Sequence, residues 1–259
     1  MRLSWSFRLV TACLAVMLLP TSSNAPWRAG GQAAAAGAGP VTGTPGNPSA
    51  PQGILYNQTD SPGSNVADSS DWGSAFRTLN SQAADDFIVP SNALWGITRV
   101  TAGGSYIGFE GNGVLSLLVQ FYNNDPTSNL PSSQLLSQTV TVPSANISGL
   151  DSGALVVTLT NQLHLGPGHY WFSVQAREDC ISASCKHWVW TERSIQSNIA
   201  SVWQNPRGGI SPSCPTWEPR VDVCHDPGPG SSGGKDLLFM LEGTTTPVVA
   251  RLLLPIVRR

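Results

Sequence analysis

Short stretches of alternating apolar and polar residues, separated by Gly, Pro, Asn and Ser, run through most of this chain. Alternation with a period of two marks a strand with one buried face, and no long segment carries the helical period with caps. The pattern predicts strands over 54–57, 83–89, 95–102, 113–122, 134–142, 154–163, 169–176, 187–191, 199–204 and 236–242. Pro90 closes the second of them, and Asn123-Asn124-Asp125-Pro126 and Gly166-Pro167-Gly168 read as turns. So many short strands at this spacing predict an all-β fold, an antiparallel β-sandwich or jelly roll. No internal repeat is visible.

The same pattern divides the chain. Residues 1–25 read as a secretory signal: Arg2 and Arg8 come early, followed by an apolar run from Leu9 to Leu19. That run falls short of the ~20 residues a membrane span needs, and no transmembrane helix is expected in the mature chain. Ser23-Asn24-Ala25 has the form of a cleavage site, although Pro26 follows it, and 32–36 offers others. Val10-Thr11-Ala12-Cys13 matches a lipoprotein box loosely but precedes most of the apolar run. Residues 26–52 are rich in Gly, Ala, Pro, Thr and Ser and cannot bury enough surface to offset their ordering entropy, so they read as a linker. Residues 53–243 form the expected domain, and 244–259 an apolar and basic tail, Arg251 to Arg259, like short sorting signals of exported proteins.

Charge narrows the partners. The formal charge is −2 and only 12% of residues are charged, with Lys186 and Lys235 the only lysines. Phosphate backbones need clustered positive charge, so nucleic acid is excluded as an expected partner. Once Cys13 leaves with the signal, Cys180, Cys185, Cys214 and Cys224 remain. In an oxidising compartment these read as disulfides, and the local pairing of Cys180 with Cys185 and Cys214 with Cys224 is expected. A zinc site using His187 or His225 is the rival, against which the spacing argues.

The stretches QAADDFIVP, GHYWFSVQA and KDLLFMLEGT, in that order, resemble a β-sandwich module of many secreted bacterial proteins. That resemblance spans about residues 54–244. It implies export and a sandwich, and brings no activity and no catalytic residues.

Two constellations carry candidate chemistry. Neighbours in a strand point to opposite faces, so one of Asp85 and Asp86 must point inward if either face is core. A buried carboxylate must be paired, hydrogen-bonded, metal-bound or protonated. Arg77 and Arg99 are the cations in flanking segments, and Asp236 opens the last predicted strand. If the first and last strands are neighbours, Asp85 or Asp86 comes together with Asp236 and backbone carbonyls as hard oxygen ligands suited to Ca²⁺. The alternative is a strand end with its acid bonded to loop amides or arginine. The second constellation is aromatic: Trp188 and Trp190 share one face of a strand, with Trp203 and Trp217 later in the chain. Exposed, they would stack on sugar rings; buried, they would fill the core. Trp217, inside the expected Cys214–Cys224 loop, is the best exposed candidate.

Catalytic patterns are weak. No His-Glu-x-x-His helix or phosphate loop with lysine occurs. His164 and His169 bracket a turn and could pair on a metal, and Glu110 with Glu192 is the acid pair a hydrolase would need. The sequence therefore points to an exported or cell-surface, non-catalytic binding module. Polysaccharide is the favoured ligand, calcium a possible cofactor, and a structural or adhesive surface protein the alternative.

Overall fold

The computed structural model describes residues 52–109, 113–182, 184–225 and 235–248. The expected signal, Cys13, all of the linker before Gln52, Glu110 and the tail beyond Val248 lie outside the described residues. The described strands are β1 (Gly53–Asn57), β2 (Pro62–Asp68), β3 (Ser70–Asp71), β4 (Gln82–Val89), β5 (Ala93–Ala102), β6 (Gly104–Ile107), β7 (Val114–Asn124) and β8 (Pro131–Thr141). They continue as β9 (Ile147–Ser148), β10 (Leu155–Leu165), β11 (Gly168–Glu178), β12 (His187–Arg193), β13 (Val202–Gln204), β14 (Glu218–Pro219), β15 (Asp236–Leu237) and β16 (Phe239–Pro247). Among the described residues there is no α-helix, and no helix long and apolar enough to cross a membrane.

The strands form an antiparallel β-sandwich. One sheet runs β1-β16-β5-β10-β9 and a larger one β14-β13-β4-β11-β7-β8, with β3 added in parallel on β11. A third runs β15-β12-β2, with β6 also on β12. The inward alternation of β5, β10 and β16 supplies Ile97, Val100, Leu155, Val157, Phe239 and Leu241 to the core. The larger sheet answers with Phe87, Phe121, Phe172 and Val174. Their rings interlock: Phe87 meets Phe121 edge-on at 6.1 Å, and Phe172 meets Trp190 edge-on at 5.6 Å, the arrangement ring quadrupoles favour.

Each predicted strand has an observed counterpart. The segment 236–242 divides into β15 and β16 at Leu238, and β16 continues past Gly243 to Pro247. β2 and β6 were not expected, because PGSNVAD and GSYI carry too little apolar alternation. Both pair with β12, and in β6 Gly104 lies against Trp188, where an added Cβ would stand 2.4 Å from the indole nitrogen.

β4 has two buried faces. Ala83, Phe87 and Val89 join the main core, while Ala84 joins a second cluster with Tyr122, Trp171 and Val202. Ile199 and Trp217 from the stretch after β12 pack on that second cluster. This stretch folds back over the outside of the larger sheet, and Cys214–Cys224 closes part of it. Cys180–Cys185 closes the turn between β11 and β12, so both pairs are the local ones expected.

Closing loops with separations of 5 and 10 residues stabilises by about 2 and 3 kcal/mol through the unfolded chain. Replacing Cys214 and Cys224 together by Ala should therefore lower the unfolding free energy by about 3 kcal/mol, read in a denaturant titration. A loss below about 1 kcal/mol would show that the covering stretch holds without its staple.

Candidate functional site

The two acids of β4 go to opposite sides, and both are buried. Asp85 points into the main core. Its Oδ2 accepts from Gln58 Nε2 at 2.6 Å and from the Leu237 backbone N–H at 2.6 Å, and its Oδ1 from the Asp86 N–H at 2.9 Å. Asp86 points under the covering stretch. Its Oδ2 is paired with His169 Nε2 and accepts from the Ile199 N–H at 3.0 Å. Asp236, on β15, accepts from the Ser197 N–H, and Arg193 stands 3.8 Å away. Oδ1 of Asp86 and Oδ1 of Asp236 are buried without a hydrogen-bond partner.

The charges of Asp86 and Asp236 reach Asp85, and that of Asp86 reaches Asp236, but not through the strand pairing expected and not as a ligand set. β1 does pair with β16, but β4 lies in the other sheet and Asp236 in the third. The nearby cation is neither Arg77 nor Arg99, which pairs with Glu242 at 2.6 Å. It is Arg193, held also by Asp60 at 2.9 Å. Among the described residues, no group of three or more His, Cys, Asp or Glu is placed to hold a metal ion. Backbone and amide N–H groups occupy much of the carboxylates' acceptor capacity.

Crowding these acids in a dry interior raises their pKa values. Burial first, then the charges of Asp236 and Asp86, push Asp85 well above the usual carboxylate range. Burial also raises Asp86, against the opposing pull of His169, and lifts Asp236 to about 7. The Tyr56 hydroxyl, bonded to Gln58 Oε1 at 2.9 Å, is raised by its burial and by the same three acids. A separate group lies near Cys180–Cys185. There burial lifts Asp68 to about 7 and Glu178, which accepts from the Trp188 N–H at 2.8 Å, to about 9.

The tryptophans require a correction. Trp188, Trp190 and Trp203 are 0% exposed and cannot serve as a sugar platform. Each indole N–H donates to a backbone carbonyl, of Gly153, Leu238 and Asp68 respectively, at 2.7–2.8 Å. With that hydrogen bond made, the rings fill the core at no polar cost. Trp217 is half-buried, edge-on to Tyr122 at 5.9 Å. The histidine pairing also fails: His169 is bound to Asp86, whereas His164 lies on the outer face of the five-stranded sheet. Glu192 is buried against Arg220 at 2.6 Å, a structural pair rather than one half of a hydrolytic site.

The sequence reading missed a recess of about 260 Å³ on the outer face of the five-stranded sheet. Leu94 pairs across strands with Thr246, and Gly96 pairs with both His164 and Thr244. A register shift in β10 between Thr158 and Leu163 brings Gln162 to the same face. Its Nε2 donates to the Gly96 carbonyl and to Thr244 Oγ1, both at 3.0 Å. The absence of a side chain on Gly96 makes room for this crossing: a Cβ there would stand 2.0 Å from that nitrogen, and the Gln162 amide would have to move.

Two tests follow from the acids. Asp85→Ala leaves the Gln58 amide and the Leu237 N–H without their shared acceptor, at about 1–3 kcal/mol each. A loss of about 3–5 kcal/mol in a denaturant melt is expected. A loss under about 1 kcal/mol would show that the junction repacks. The second test is pH. Raised carboxyl pKa values mean that the folded chain binds more protons than the unfolded one, whose acids titrate near ~4. Stability is then fullest near that lower value and falls as pH rises through about 7 for Asp236 and Asp68 and about 9 for Glu178. The melting temperature should drop from about pH 5 to about pH 9, and Asp236→Asn should flatten the slope below about pH 8. A melting temperature that rises over this range would mean the acids stay ionised and paired.

No family model matches this chain, and neither do any curated proteins or solved structures.

Proposed function

We propose that this chain is an exported, non-catalytic binding module whose ligand class is polysaccharide, bound on the outer face of the five-stranded sheet. The observation that carries the reading is an open recess in which the polar groups of Gln162, His164, Thr244 and Thr246 stand beside the apolar Leu94, Trp95 and Leu165, with no Lys, Arg, Asp or Glu among them. Concave sites with a few convergent polar groups are the usual places for small ligands. Two disulfides suit an oxidising compartment, and the resemblance to secreted sandwich modules points the same way. Calcium is the part of the reading with least support, since Asp86 and Asp236 keep only their Oδ1 atoms for it.

A second reading has its own observation. Phe109 and Ile181 are each 82% exposed, and the Phe109 N–H donates to Ser184 at 3.2 Å, which joins their two loops. Neighbouring exposed apolar tips favour protein contact, as a structural or adhesive surface protein would use.

Retention of the purified chain on insoluble and immobilised polysaccharides, with calcium and with chelator, separates the two. Saturable retention is expected, unchanged by chelator if the acids work without metal. No retention across neutral and acidic polysaccharides would overturn the first reading and turn the search to protein partners.

A further inference from the structure

We infer that the recess takes one neutral sugar residue at a time, with Gln162 as the residue that sets its selectivity; this rests on the binding-module reading above.

The hydrogen-bonding inventory supports a neutral ligand. Gln162 spends both amide protons on Gly96 and Thr244, which leaves Oε1 as an acceptor on the exposed side. Thr244 Oγ1 accepts from Gln162 and keeps its own proton to donate. Thr246 adds a second hydroxyl, and the His164 imidazole can donate from one nitrogen and accept at the other. Such a mixed set matches neighbouring sugar hydroxyls, each of which both gives and takes a hydrogen bond. No Lys, Arg, Asp or Glu lines the recess, so a phosphate, sulfate or carboxylate would lose its hydration without a counter-charge.

Size and shape support a single ring. At about 260 Å³ the recess falls below the ~300–1,000 Å³ of pockets that enclose drug-sized ligands. Leu94, 46% exposed and opposite Thr246, offers an apolar edge for the C–H face of that ring. The orientation of Gln162 is fixed rather than adaptable. It lies across Gly96 with both amide protons bonded, which places its acceptor before the ligand arrives.

The test uses the full chain on cellulose, mannan and alginate, with a free monosaccharide as competitor. Retention is expected on at least one neutral polysaccharide and not on alginate, and the matching monosaccharide alone should release it. Gln162→Ala and His164→Ala should each weaken retention by about 3- to 10-fold, the range of one hydrogen bond. Leu94→Lys should abolish it. Gln162 and His164 are exposed, so both variants should keep the parent melting temperature; if Leu94→Lys fails to fold, these two decide the matter. Retention of the parent with undiminished binding by both variants would overturn the recess while leaving the module reading intact. Equal retention on alginate would overturn neutrality, and release by longer oligosaccharides alone would overturn the single ring. No retention of the parent anywhere would overturn the module reading itself.

Discussion

Asp85 is the point at which all three sheets meet. Its side chain leaves β4 of the larger sheet and accepts from the Leu237 N–H on β15 of the third. It accepts as well from Gln58, the residue after β1 of the five-stranded sheet. Gln58 closes the junction by donating from its side chain to the Leu237 carbonyl at 2.7 Å and from its backbone to Phe239 at 3.0 Å. Strands of three sheets that apolar packing alone would let slide are thereby fixed relative to one another. Hydrophobic contact is non-directional, whereas two donors converging on one buried oxygen specify a position. The sandwich needs this because β15 and β16 diverge at Leu238 into different sheets.

The junction has an electrostatic consequence. Asp85, Asp86 and Asp236 lie close enough to raise one another, facing Arg193, which Asp60 also holds. Glu192, by contrast, has Arg220 at 2.6 Å and forms a buried ion pair. One part of the interior is thus balanced and the other carries surplus acid. Two buried charges of like sign in low dielectric favour a bound proton over full ionisation. The fold relies on carboxyl groups as acceptors at its centre and is weakened whenever they are all made to ionise.

The sheets were legible because each main strand carries its own period-two signal, and the disulfides because each pair lies close in sequence. The question posed by adjacent Asp85 and Asp86 was legible too, but its answer was not. A period of two locates the acids on opposite faces. It cannot say that residues after β12 return to cover the second face, since that depends on contacts about 113 positions apart, such as Ile199 to Asp86. Gln58, Tyr56 and Arg193 were missed for the same reason, having nothing unusual about them locally, and His169 was noticed only as a partner for His164 rather than for Asp86. The tryptophans were misread in the other direction. Trp188 and Trp190 do share a face, yet that face is core, and only the position of the carbonyls of Gly153 and Leu238 reveals it.

Burying the tryptophans changes the kind of binding the surface can support. An aromatic platform gives each sugar a large, sequence-tolerant contact; an aliphatic edge at Leu94 with amide, hydroxyl and imidazole groups gives a smaller one. Association must first offset lost translational freedom, several kcal/mol or more. A few hydrogen bonds of roughly 1 kcal/mol each leave little surplus. On the reading proposed above, such a site would hold a free sugar weakly and a polymer better, because the next residue of a polymer is always near.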